Sequence, residues 1–269
     1  MKPILGREGR AALAGCRERG ALLAFDFDGT LAPIVADPAL AALRPSTRRL
    51  LARLARRSTC VVISGRAADD VAARLAGVGI VHVVGNHGAA FALTPSARAA
   101  ARSRAARWLA RLSAALEGRP GLRLEDNGLS LAVHYRRAPD PQAARRAIRR
   151  AARALPGVRL LDGKRVVNVL PARAPHKGAV LAALARRLRA RCVLFLGDDL
   201  TDEAAFATPV APAYVTVRVG RSRASAAAFV LSSQREVDAL LRELLRSPRR
   251  PARAAGRLSA SPRRARRSP

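Results

Sequence analysis

Lysine is nearly missing from this chain. Of its 50 basic residues only Lys2, Lys164 and Lys177 are lysines, and arginine supplies the rest. Acidic residues are scarce too, at 19, which leaves a formal net charge of +31. Aromatic residues make up 3%. That scarcity argues against a single-strand nucleic-acid surface, where aromatic platforms interleave with a basic groove. The arginines run the whole length beside abundant alanine, so the charge reads as a compositional bias that attracts phosphorylated solutes without specifying a polyanion. No dedicated nucleic-acid binding is expected, and a basic nucleic-acid-binding protein stands as the non-enzyme alternative. Cysteine is limited to Cys16, Cys60 and Cys192, an odd and low number that excludes a disulfide framework and predicts buried, reduced thiols. No apolar run approaches the roughly 20 residues of a membrane span, so no membrane partner is expected. The first twenty residues carry charges throughout and hold no apolar core of signal type, which predicts a soluble cytoplasmic protein, with a monomer as the expected state.

Hydrophobic residues make up 49% of the 269 positions, enough for a sizeable core. They fall into short continuous runs that end on polar signatures. ALLAF at 21–25 runs into DFDGT, CVVI at 60–63 into SGR, and IVHVV at 80–84 into GNHGA. CVLFL at 192–196 runs into GDDLTDE, and YVTVRV at 214–219 into GRSRAS. Runs of this kind predict strands buried on both faces, as in parallel sheets. Helical stretches at 7–19, 46–57, 67–76, 178–190 and 201–207 alternate with them. The fold class is therefore α/β, a Rossmann-like doubly wound parallel sheet. Sites in such sheets form at the carboxyl ends of the strands, where the polar signatures lie.

Residues 93–173 break the rhythm. A long helix near 96–117 precedes LRLED and LSLAVHYR, and a second near 140–154 precedes VRLLDG and KRVVNVLP. Turns are expected at Asn127-Gly128 and Asp162-Gly163. This segment reads as a small inserted α+β cap resting over the active end of a catalytic core built from 1–92 and 174–246. Residues 247–269 hold eight arginines and no acid, and their composition predicts a disordered tail.

Phosphoryl transfer needs a nucleophile, an acid for the leaving oxygen, a cation, and donors for the phosphoryl oxygens. Asp26 and Asp28 project the same way from an extended segment, and two such carboxylates repel unless a cation or proton joins them. A hard cation such as Mg²⁺ suits oxygen ligands. Asp26 then serves as nucleophile. Asp28 acts as acid and later as base, and contributes its backbone carbonyl to the ion. Gly29 lets the chain turn tightly beside the phosphate. A lone pair of this type is equally a loop or cap motif, but Asp198, Asp199 and Asp202 follow another strand that a parallel sheet brings alongside. Asp198 is a direct ligand by this reading. Whether Asp199 and Asp202 touch the ion directly or through an intermediary stays open; Asp199 is grouped with the ligands and Asp202 with the substrate pocket. Ser64 donates a hydroxyl to a phosphoryl oxygen. Lys177 is a lysine retained where arginine is the rule, which points to chemistry that needs a compact ammonium. Arg66 either binds phosphate or pairs with an acid. His87 is a pocket residue rather than the acid, while His134 is expected within the insert's sheet.

These residues resemble the haloacid dehalogenase superfamily. DFDGTLAPI matches its first motif, Ser64 its second, Lys177 its third and GDD its fourth. Within it, FDFDGTLAPI, VVISGR, GNHGA, EDNGLSLAVHYR, GKRVVNVLP, HKG and GDDLTDEAAF are similar to the trehalose-6-phosphate phosphatase family. The resemblance implies a Mg²⁺-dependent hydrolysis of trehalose 6-phosphate to trehalose and phosphate, with a sugar phosphate as the partner. It places Asn86, Asn127, Arg136 and Asn168 among the substrate contacts. The family pattern has Lys where Asn127 stands, Glu where Asn168 stands, and Glu near Asn86 or Ala90. Charge-assisted hydrogen bonds are roughly twice as strong as neutral ones, so these exchanges bear on sugar recognition. A capped phosphatase for glucosylglycerol phosphate or sucrose phosphate is the enzyme alternative.

Overall fold

The computed structural model describes residues 1–246 except Val81, Ala92 and Arg223. The expected disorder of 247–269 lies outside the described residues. In chain order the elements are β1 (Lys2–Pro3), α1 (Arg7–Glu18), β2 (Leu22–Phe25), α2 (Pro45–Ala55), β3 (Cys60–Ile63), α3 (Ala68–Arg74) and β4 (His82–Val84). Next come α4 (Pro95–Leu116), β5 (Arg123–Asp126), β6 (Leu131–His134), α5 (Pro141–Arg153), β7 (Val158–Gly163) and β8 (Val166–Pro171). The chain closes with α6 (Lys177–Arg187), β9 (Cys192–Gly197), α7 (Leu200–Ala207), β10 (Ala213–Val219), β11 (Phe229–Leu231) and α8 (Val237–Leu245).

Seven strands form one parallel sheet in the order β1-β11-β10-β9-β2-β3-β4. Alternation along each strand divides its side chains between two apolar layers. Leu23, Phe25, Val62, Leu194 and Leu196 pack with Leu13 of α1, Leu51 of α2 and Leu241 of α8. Leu22, Ala24, Val61, Ile63 and Phe195 pack on the opposite face with Leu181 of α6 and Phe206 of α7. Helices on both faces explain why the central strands read as unbroken apolar runs. The short strands β1 and β11 and the helix α8 are absent from the sequence expectation. Two or three residues give too short a period to read, and α8 follows no polar signature.

The insert between β4 and α6 carries its own antiparallel sheet, ordered β5-β6-β8-β7. One face is closed by α4 and α5. Trp108, Leu112 and Ile148 pack there on Leu131, Val133, Val167 and Val169. The first hairpin turns at Asn127–Ser130: the Asn127 N–H donates to the Ser130 carbonyl, and Gly128 has φ +78°. The second turn differs from expectation. Gly163 is still a strand residue paired with Val166, and the chain reverses at Lys164-Arg165, with Arg165 at φ +65°. Gly163 is needed in the strand because a Cβ there would lie 2.5 Å from the Asp199 Oδ2. Among the described residues no helix is long and apolar enough to cross a membrane.

Candidate active site

The register of the central strands assembles the site. Phe25 of β2 pairs with Leu196 of β9, and the Asp26 N–H donates to the Leu196 carbonyl at 2.9 Å. Asp26 and Asp198 therefore leave adjacent strands at the same level. Ser64 follows β3, which flanks β2 on the other side, and Asn86 and His87 follow β4. Lys177 opens α6, whose start is capped by the His176 Nδ1 accepting from the Ala179 N–H at 3.2 Å.

At the centre, the Lys177 Nζ donates to the Asp26 Oδ1 at 2.6 Å and to the Asp202 Oδ1 at 2.7 Å. Lys177, Asp26 and Asp202 are all buried. Burial opposes the charge on Lys177, but the facing Asp202 and Asp26 carboxylates hold its pKa above the ordinary lysine value. Burial pushes the Asp26 carboxyl well up; Lys177 opposes this, and repulsion from Asp202 and Asp198 adds to it. Burial also raises Asp198, to about 6, with Lys164 acting against the rise. Carboxyls raised in this way mark negative charge that the protein's own cations do not balance. One oxygen each of Asp26, Asp198 and Asp202 lies within 4.8 Å of the others. This buried oxygen-only donor set fits a hard divalent cation.

The Asp28 and Asp199 carboxylates lie outside that group; for Asp28 the expected ligand is its backbone carbonyl and not its side chain. The Asp28 carboxylate instead makes a bidentate pair with Arg66, at 2.7 Å to Nε and 2.8 Å to Nη2. Arg66 pairs with an acid here, and it also donates from Nη1 to Asp70 (3.2 Å) and from Nη2 to the Pro38 carbonyl (2.8 Å). Asp199 is the N-cap of α7. Its Oδ1 accepts from the Leu200 N–H at 2.8 Å and its Oδ2 from the Lys164 N–H at 3.2 Å. Burial raises its carboxyl. Asp202 completes the reciprocal capping box, with its Oδ2 accepting from the N–H groups of Asp198 (2.9 Å) and Asp199 (3.0 Å). Fully buried, it has no face toward a sugar. The grouping of Asp202 with the substrate pocket is therefore corrected: it orients Lys177 and the Asp198 loop.

Gly29 and Asn86 also change place. Gly29, at φ +78°, packs against Asp198, whose Oδ2 would stand 2.2 Å from an added Cβ. It makes room for that carboxylate rather than for substrate. The buried Asn86 amide donates to the Asn127 carbonyl (2.7 Å) and the Ser130 Oγ (3.0 Å), tying the insert's first turn to the core. Ser64 is buried, and its Oγ accepts the Arg66 N–H at 3.2 Å, which leaves the hydroxyl proton available.

A cavity of about 340 Å³ opens between the two sheets, within the usual range for small-ligand pockets. Asp26, Asp28, Arg66, Lys177 and Asp198 line its floor. Asn127, Arg136 and Asn168 line it from the insert. Their side chains are partly engaged: the Asn127 Oδ1 accepts from the Ala67 N–H (3.3 Å), the Arg136 Nη2 donates to the Lys164 carbonyl (3.0 Å), and the Asn168 Nδ2 donates to the Leu161 carbonyl (3.2 Å). His87 lines the cavity too, buried, at φ +53°, with neither ring nitrogen hydrogen-bonded. Burial, with Lys177 nearby, lowers its pKa to about 3, so the ring is neutral.

Among the cavity residues that sequence reasoning missed are Glu125, His134 and Lys164. Glu125 and His134 face each other across the insert's first hairpin at 2.6 Å and both line the pocket. Lys164 reaches down from the second hairpin to pair with the Asp198 Oδ2. The scarcity of lysine that singles out Lys177 singles out Lys164 equally, so its signal was present.

A family model described as Trehalose-phosphatase matches residues 24–233. The trehalose-phosphate phosphatase of Mycobacterium tuberculosis (strain ATCC 25618 / H37Rv) is 36% identical over 248 residues, covering 84% of this chain and 62% of that protein. That of Mycobacterium avium (strain 104) is 36% identical over 229 residues, covering 78% of this chain and 58% of that protein. The chain thus spans about three fifths of the curated relatives it matches. Among solved structures, the Aspergillus fumigatus trehalose-6-phosphate phosphatase is 27% identical with a TM-score of 0.60, covering 91% of this chain and 98% of that one. The C-terminal domain of the Candida albicans trehalose-6-phosphate phosphatase shares the fold, with a TM-score of 0.70 at 24% identity over 91% of this chain and 98% of that one.

Proposed function

The chain belongs to the trehalose-phosphatase family, and from that premise we propose that it hydrolyses trehalose 6-phosphate to trehalose and phosphate through an aspartyl-phosphate intermediate. The observation that carries the reading is the buried Asp26 held by Lys177 at the floor of a cavity that the insert roofs.

Lys177 opposes the protonation that burial favours at Asp26 and fixes one of its oxygens, leaving the other free to attack phosphorus in line as the ester oxygen departs. Asp28 lines the same floor and is the group available to protonate that leaving oxygen and then to take a proton from water. Its bidentate hold on Arg66 has to loosen for this, and Asp70 and the Pro38 carbonyl remain as partners for the guanidinium. The Ser64 hydroxyl and the neutral His87 ring supply uncharged donors toward phosphoryl oxygens. Asp26 and Asp198 would hold a divalent ion, which we assign as Mg²⁺, with the Asp28 carbonyl beside them. When bound, that ion neutralises phosphoryl charge. Asp202 serves by orienting Lys177. From the insert, Asn127, Arg136 and Asn168 face the sugar, with Glu125 and His134 lining the same cavity. The insert acts as a cap that excludes bulk water from the reacting centre.

Phosphate release from a panel of trehalose, sucrose, glucosylglycerol and glucose phosphates, with Mg²⁺ and with chelator, tests the proposal. Trehalose 6-phosphate is expected to give the highest kcat/KM, and the chelator to abolish turnover. Equal rates on glucose 6-phosphate would remove the disaccharide assignment. A preference for sucrose or glucosylglycerol phosphate would trace to the neutral Asn127 and Asn168.

A further inference from the structure

Two lysines meet the acidic cluster, and they do so on opposite terms. Lys177 is 2% exposed and shared by two buried carboxylates. It has nowhere to go. The Lys164 side chain is 44% exposed, while its partner Asp198 is 1% exposed. The Lys164 side chain is thus partly solvated and ends a flexible stem. Asp198, by contrast, must face some cation in every state, because an unpaired buried carboxylate is costly. Its other oxygen has only the Thr30 hydroxyl, at 3.3 Å.

Lys164 sits at the tip of the insert's second hairpin, and that tip rests on the core through the acid loop. The Lys164 N–H donates to the Asp199 Oδ2 at 3.2 Å, and Gly163 lies so close to that oxygen that no side chain fits. The Lys164 carbonyl is held from within the insert by Arg136. One turn thus joins the insert's sheet to the loop that carries Asp198.

We propose that the Lys164 ammonium competes with the divalent ion for Asp198, so that ion binding and the grip of the second hairpin on the core are mutually exclusive. The inference rests on the assignment of a divalent site at Asp26 and Asp198. A doubly charged ion outbids a half-solvated ammonium at a buried carboxylate, and the displaced lysine loses little because water already surrounds it. The hairpin tip is then freed on ion loading, which couples the state of the cation site to the position of the insert.

Calorimetric titration of Mg²⁺ into wild type, Lys164→Met, Lys164→Arg and Asp198→Asn tests this. Amide hydrogen exchange of the segment 163–166 with and without Mg²⁺ supplies a second readout. Lys164→Met is expected to bind Mg²⁺ roughly two- to tenfold more tightly than wild type, and Lys164→Arg to stay near wild type because the competing charge remains. In wild type, the 163–166 amides are expected to exchange faster once Mg²⁺ is bound. Unchanged or weaker binding by Lys164→Met overturns the competition, as does exchange at 163–166 that Mg²⁺ slows or leaves alone. Asp198→Asn reports on the site itself. Loss of Mg²⁺ binding there keeps the site and leaves the Lys164 result to decide, whereas wild-type binding removes the site and the proposal with it.

Discussion

The core and the insert handle charge in opposite ways. At the rim of the parallel sheet, charges are buried and rigidly shared: Lys177 between Asp26 and Asp202, and the Asp202 carboxylate across two backbone N–H groups. In the insert, charges are more exposed and some pairs are redundant, as where Asp162 takes both Arg145 and Arg149 at 2.7 Å. Chemistry that depends on one carboxylate held in one protonation state needs the first arrangement. A surface that adapts to a hydroxyl-rich ligand is served by the second. Substitutions at the rim of the core should therefore be severe, in activity or in stability, and those in the insert mild.

The largest effect is expected at Asp26, the proposed nucleophile. Asp26→Asn should lower kcat by at least about a thousandfold with the fold intact by circular dichroism, since the amide still accepts from Lys177. Retained activity would end the assignment of Asp26. Next is Lys177→Met, which strips the cation from two buried carboxylates. A loss of about 3–5 kcal/mol of stability is expected from the urea midpoint. A loss below 1 kcal/mol on the order expected for exposed pairs would mean that the rim is no more rigidly built than the insert.

His87 gives the comparison a pH axis. Its folded pKa is depressed to about 3 from an ordinary value of 6.5, so the fold favours the neutral ring. That contribution is fully present above pH 6.5 and drains away as pH falls toward 3, by up to about 1.4 kcal/mol per pH unit. Asp198 acts the other way in the ion-free protein: its carboxyl is raised to about 6 from 3.8, so acidification relieves its burial. The difference between wild type and His87→Gln cancels the carboxylates. Stability measured by urea between pH 8 and 5 should fall more steeply for wild type, and parallel curves would remove the buried neutral ring as a pH-sensitive element.

Much of the core was legible because its physics is local. A strand covered on both faces must be apolar along its whole length, and acids after such strands must converge in a parallel sheet. The convergence of Asp26 and Asp198 follows from those two facts. What the sequence concealed is which oxygen goes where. Asp199 and Asp202 read as ligands or substrate contacts, but a capping box uses the same residues at the same spacing. Asp28 reads as part of the acidic group, but Arg66, 38 residues away in the chain, claims both its oxygens. In the insert, Asp162-Gly163 carries the stronger turn signal, yet Asp199 requires the glycine in the strand and Asp162 serves the arginines of α5. The reversal falls on Lys164-Arg165, where local propensity is poor and the close fit of Gly163 against Asp199 decides.

Smaller effects are expected from the insert. Asn168→Glu restores the acid of the family pattern on the cavity wall. It gives up the amide's hydrogen bond to Leu161 and gains a charge-assisted acceptor for a sugar hydroxyl. The KM for trehalose 6-phosphate should fall by roughly three- to tenfold while kcat changes little. A fall in kcat alone would place Asn168 with the reacting centre and blur the division between core and insert.

The smallest effect is expected at Arg145→Ala. The Arg145 side chain is 48% exposed, and Asp162 keeps Arg149 when it is removed. Only a screened and redundant interaction is lost, so thermal or urea unfolding should register no more than about 0.5 kcal/mol, and less again at high salt. The stability of the insert then rests on Trp108, Leu112 and Ile148 packed on its sheet, and not on its arginines. A loss approaching that of Lys177→Met would reverse this view, since the insert would then depend on individual ion pairs as the catalytic rim does.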